Sequence, residues 1–251
     1  MRLSTPLIAV AAILLQRPEG PPWGRLDDAA QPAPEHAEFY FTRAAYGGYF
    51  GRSWTTDYPK ADRQLMMGVR RLLNQLDASP AEHPVRLDDP ELRRFPLLYA
   101  VEVGHMVDLS EAEVLGLRSY LQAGGFLVVD DFWGTIEWAN FENEIRRVLP
   151  GCKIVDLPRD HPFWSAFYDI REVYQVPNIR NAMYGQTSEQ DGYVPFYRGI
   201  FDDHGRLMVL INANTDLGDA WEWAERPEYP LKYSTFAYQM AVNFIVYGLS
   251  H

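Results

Sequence analysis

The chain has 251 residues, a formal net charge of −11 and one cysteine, Cys152. The acidity argues against a binder of nucleic acid, which needs a basic face, and against adhesion to anionic lipid. A lone cysteine excludes an internal disulfide and a cysteine-based zinc site. Hydrophobic residues make up 47% of the sequence, enough for a sizeable core.

Arg2 precedes an apolar run, Pro6 to Leu15, and a Pro-rich spacer follows to Pro34. The run has the form of a secretory leader and is shorter than the roughly 20 residues a spanning helix takes. Export, with a periplasmic location, is therefore expected; a cytoplasmic tail with an apolar patch is the alternative. Residues 1–37 are read as leader and spacer, and 38–251 as one domain.

Phe39 to Arg43 is the first β-type run, followed by a Gly-rich aromatic stretch from Tyr46 to Trp54. Leu65, Val69, Leu72, Leu73 and Leu76 recur at helical spacing, with Pro59 suited to the first turn. Pro96 to Val103 reads as a strand covered on both faces. Ser110 and Glu113 form a capping box, with Leu109 and Val114 as a staple, and this helix stops at Gly124-Gly125. Phe126 to Val129 is the next buried strand, running into Asp130-Asp131. Trp138, Phe141, Ile145, Val148 and Leu149 mark another helix, and Lys153 to Leu157 a weaker strand. This alternation implies right-handed crossovers between parallel strands. Phe196–Phe201 and Leu207–Ile211 flank a turn, Asp202 to Gly205, and predict an antiparallel hairpin. Thr235 to Tyr247 is apolar almost all round and predicts a buried closing helix. The fold class is α/β: three layers, with a mostly parallel central sheet, flanking helices and a late antiparallel hairpin.

Ligands of open α/β sheets bind beyond the carboxyl ends of the strands. Polar residues just past each predicted strand form the candidate set: Arg43, Trp54 and Asp57; His105; Asp130, Asp131 and Trp133; Asn214, Asp216 and Trp221. Asn212, Asp219 and Glu222 lie in the same loops. Plainer roles compete. Asp57 and Asp62 suit a helix start, His105 a turn, Asp130-Asp131 a cap on the helix near Thr135, and the tryptophans a core or cleft wall. His161-Pro162-Phe163 suits a turn that buries Phe163.

Several chemistries fail on spacing. Asn212-x-Asn214-x-Asp216 resembles a calcium loop, but the glycine comes late, at Gly218, and Trp223 replaces the closing Glu. A carboxylate metal centre drawn from Asp57, Asp130 or Asp131 with His105 would suit Mg, Ca or Mn, yet no spacing motif supports it. Neither metal nor cofactor is assigned. No nucleophile elbow and no phosphate-binding loop occurs, and Cys152 opens a strand instead of following one. No catalytic residue is assigned.

Trp54-Thr55-Thr56-Asp57-Tyr58-Pro59 with Ala61-Asp62, Gly104-His105, Leu109-Ser110 and Gly124-Gly125-Phe126 into Asp130-Asp131 resemble the bacterial domain-of-unknown-function family numbered 4159. His161-Pro162-Phe163, Asn214 to Gly218 and Trp221-Glu222 extend the likeness, which covers roughly residues 38–249. The resemblance implies a fold similar to class I glutamine amidotransferases and trehalose-utilisation-like proteins, with a flavodoxin-like sheet. Those enzymes carry a cysteine at a strand-to-helix elbow. The equivalent turn here, Glu102 to Met106, has neither thiol nor hydroxyl. The leading expectation is thus a non-catalytic, exported pseudoenzyme that binds a small polar ligand, a sugar or peptide, or assembles into a membrane-linked complex. A carboxylate- and His-dependent hydrolase, with or without metal assistance, is the alternative.

Overall fold

A computed structural model describes residues 37–47 and 54–250. The leader and spacer expectations lie outside the described residues. The described part is built on a seven-stranded sheet in the order β2-β1-β3-β4-β7-β6-β5. Its strands are β1 (Thr42–Ala45), β2 (His83–Arg86), β3 (Leu97–Val101), β4 (Phe126–Asp130), β5 (Ile154–Asp156), β6 (Phe196–Phe201) and β7 (Leu207–Ala213). Pairs β1–β2, β1–β3, β3–β4 and β4–β7 are parallel. β6 is antiparallel to both β5 and β7, so β5 points the same way as the parallel set.

Helices α1 (Lys60–Leu72), α5 (Leu217–Glu222) and α6 (Leu231–Ser250) cover one face; α2 (Glu111–Gln122) and α3 (Gly134–Val148) cover the other. A short α4 (Ile179–Met183) lies in the connection to β6. β3 shows how the layers separate. Leu97, Tyr99 and Val101 enter the α1/α5/α6 core, and Leu98 and Ala100 the α2/α3 core, as the alternation of a strand requires.

The local rules that hold have visible causes. Ser110 and Glu113 exchange the two capping-box bonds at the start of α2, and the chain leaves that helix through Gly124 at φ 111°. Asp202 accepts from the backbone of His204 and Arg206, 2.9 Å each, closing the β6–β7 hairpin. Phe236, Met240, Phe244 and Tyr247 of α6 are buried. His161 caps a short 3-10 turn and Phe163 is fully buried.

Four expectations need correction. A strand, β2, occupies His83–Arg86, where none was expected. β5 joins by antiparallel pairing to β6 and not by a parallel crossover. α1 ends at Leu72, which is exposed, and Pro59 precedes the helix. Arg43 lies inside β1, not beyond it. No helix among the described residues is long and apolar enough to cross a membrane.

Candidate functional site

Three neighbouring parallel strands end in the same unusual way. The residue directly after β3, β4 and β7 is Glu102, Asp131 and Asn214, at φ 54°, 52° and 58°. Left-handed backbone is uncommon for residues other than glycine and clusters at functional sites. Hydrogen bonds stitch these turns together: Asp131 N–H donates to Thr215 O (3.1 Å), Asn214 N–H to Phe132 O (3.0 Å) and Glu102 N–H to Asp131 O (3.1 Å).

Asp57, also left-handed at φ 61°, reaches this edge from the loop before α1. Arg43 holds that loop. Its Nη1 donates to the carbonyls of Trp54 (3.1 Å) and Thr56 (3.0 Å), while Nε and Nη2 bind Asp62. Both side chains of this ion pair are 0% exposed. Asp62 therefore pairs a buried cation and does not cap α1, and Arg43 is a positioning residue beneath the site.

One oxygen each from Asp57, Asp131 and Asp216 lie within 4.8 Å of one another, and so do one each from Asp57, Asp219 and Glu222. Their supports differ. Asp131 accepts from Trp133 Nε1 (2.9 Å), Asp216 from the Asp219 amide (2.7 Å), and Asp219 from the Ile179 amide (2.6 Å) and Trp223 Nε1 (2.9 Å). Asp57 Oδ2 is out of contact with solvent and accepts no hydrogen bond. Burial, followed by repulsion from its neighbours, raises Asp57, Asp131 and Asp216 well above the usual carboxylate range. Burial and the nearby Asp219 push Glu222 up to about 7. Like charges gathered this way favour the protonated forms, and a cation among them would favour the ionised ones.

Asp130 faces the α1/α5/α6 layer instead. Its Oδ2 accepts from Tyr99 Oη (2.7 Å) and the Leu217 amide (2.8 Å), so it secures the start of α5. The α3 terminus, for which Asp130-Asp131 were the competing cap reading, is held by Asn214 on the Gly134 amide and Asp191 on the Thr135 amide, 2.9 Å each. Trp54, Trp133 and Trp221 are fully buried walls. Tyr46 is buried too; residues 48–53 of the aromatic stretch lie outside the described residues.

His105 joins a second group at the same edge. Its Nδ1 lies 3.1 Å from Glu102 Oε2 and its Nε2 3.9 Å from Glu137 Oε1. Gly104 packs so closely on Glu137 that a Cβ there would overlap it. Beside this edge a cleft of about 430 Å³ runs between Trp138, Tyr193, Phe196, Arg198 and Asn214.

The structure thus unites Asp57, Asp131 and Asp216, and places His105 in an adjoining group. Arg43, Asp130 and the three tryptophans support the edge from beneath. Glu102 and Glu137 were missed by the sequence reading, while Asp219 and Glu222 were noted but not chosen. Asp216, Asp219 and Glu222 recur at i, i+3 and i+6, the spacing of one helical face, and that was their available signal.

Fold and edge together define an α/β domain with a carboxylate-rich cup at the carboxyl ends of its strands. The chain matches the family described as Domain of unknown function (DUF4159) over residues 40–249 and belongs to it. A search of curated proteins gives no match.

Proposed function

We propose that this domain binds a divalent cation of oxygen preference (Ca, Mg or Mn) through Asp57, Asp131 and Asp216, and uses it to hold a small polar ligand, a sugar or peptide, at the strand-end edge. The observation that carries this reading is the approach of three carboxylate oxygens from three separate segments to within 4.8 Å. Oxygens on opposite sides of a calcium ion, each about 2.4 Å from it, are about 4.8 Å apart. No spacing motif points to this set in the sequence, because the partners of Asp57 are distant along the chain. The apolar run Pro6–Leu15 supports an exported setting for this binding.

Calorimetric titration of chelator-treated protein with Ca, Mg and Mn tests the proposal. At least one should bind and raise the thermal midpoint, and Asp131→Asn and Asp216→Asn should bind none while keeping the wild-type circular dichroism. Absence of binding by all three ions would overturn it.

One observation favours a hydrolase as the second reading. His105 stands between Glu102 and Glu137, the arrangement of an acid/base imidazole oriented by carboxylates. Turnover of model glycosides or peptides that is lost in His105→Gln, with cation binding intact, would select it.

A further inference from the structure

Asp57 belongs to two carboxylate groups that share no other member: one with Asp131 and Asp216, one with Asp219 and Glu222. We infer that the edge holds two divalent cations, bridged by the Asp57 carboxylate. The inference rests on the cation-binding reading above and deepens it.

Three features support a bridge at Asp57. First, each of Asp131, Asp216 and Asp219 has an oxygen fixed by an N–H donor, as metal-bound carboxylates do. Asp57 Oδ2, out of contact with solvent, has no such donor among the described residues. A carboxylate that gives one oxygen to each of two ions needs none. Second, Gly218 lies against this oxygen: a Cβ there would stand 2.5 Å from Asp57 Oδ2. Gly218 keeps φ outside the left-handed region, so this is a matter of space. The glycine leaves Oδ2 its place between the two groups. Third, the charges balance better. Five carboxylates around one divalent cation retain three negative charges, and around two cations they retain one. Ion pairs bridged in this way sit about 3.5–4 Å apart and clamp an oxygen-bearing ligand from both sides. The ligand class is accordingly one that offers two neighbouring oxygens, such as a sugar diol or a carboxylate.

Manganese titration of the chelator-treated full chain tests this, with metal content by elemental analysis and coupling by electron paramagnetic resonance. The expected result is two Mn per chain, with the isolated-ion hyperfine pattern replaced by an exchange-coupled signal as the second ion enters. Glu222→Gln should weaken the second ion about tenfold or more and restore the isolated-ion pattern. Asp57→Asn should abolish the coupling. Two uncoupled ions would overturn the bridge. One ion per chain would overturn the second site and leave the cation-binding reading standing; no bound Mn would overturn the two-ion site, and the cation-binding reading falls with it when Ca and Mg also fail to bind.

Discussion

Asp57 and Asp62 stand on either side of the start of α1, and the fold treats them in opposite ways. Asp62 is sealed in the core against Arg43, and the pair is closed by further bonds from Arg43 to the Trp54 and Thr56 carbonyls. Asp57 is presented by that same loop to other acids, and its Oδ2 accepts no hydrogen bond among the described residues. The first is a compensated charge that holds structure. The second is an uncompensated charge that the first one positions. The contrast teaches that a carboxylate points to function through the partners it lacks, since Asp62 is the more deeply buried of the two.

The strongest way to break this contrast is Arg43→Met. It leaves Asp62 buried without its cation, and urea denaturation should show a loss of about 3–5 kcal/mol. A loss below about 1 kcal/mol would mean that Asp62 never depended on Arg43.

The next effect is a pH dependence. Burial raises Asp130 from 3.8 to about 7 and Glu222 from 4.5 to about 7. The folded state therefore holds more protons than the unfolded state between pH 4 and 7, and stability falls as pH rises through that window. Denaturation of the metal-free protein should show stability falling across it, and saturating divalent cation should flatten the slope. A metal-free protein whose stability rises from pH 4 to 7 would contradict the raised values.

A smaller effect, of opposite sign to Arg43→Met, is expected from Asp57→Asn. Without divalent ions this variant should be more stable by about 1 kcal/mol or more, because the folded state no longer has to protonate or repel an acid at this position. A destabilised variant would show Asp57 to be structural. The smallest effect is the control. Arg63, adjacent to Asp62, pairs with Glu82 on the surface, and Arg63→Ala should leave the thermal midpoint within error.

The parts of the fold legible in the sequence are those that a few adjacent residues decide. Ser110 and Glu113 cap their own helix, Gly124 ends it and Asp202 closes its own turn. Strand β2 was hidden by Pro84 at its second position, which argues against a central strand. β2 pairs only with β1 at the sheet's edge, where a missing donor is tolerated. Arg43 looked like the end of a strand because a cation after apolar residues normally meets water; Asp62, brought by α1, and the Trp54 and Thr56 carbonyls let it stay inside. For the site, the strand-end rule found Asp57, Asp131 and Asp216 separately. It could not say that they meet, since no local pattern links the loop before α1 to the loop after β7. Glu102 was concealed because the apolar run continues through Val103, while the strand itself stops at Val101.

The wide separation of Asp57 and Asp216 along the chain also has a kinetic side. Their charges oppose one another only once β7 pairs with β4 and α5 packs on α1, contacts between segments far apart in the sequence. Repulsion confined to the finished structure raises the rate of unfolding and leaves the rate of folding nearly untouched. Cations bound in the cup as proposed would act as a latch: they would set how long the folded domain persists and leave its speed of formation to the sheet.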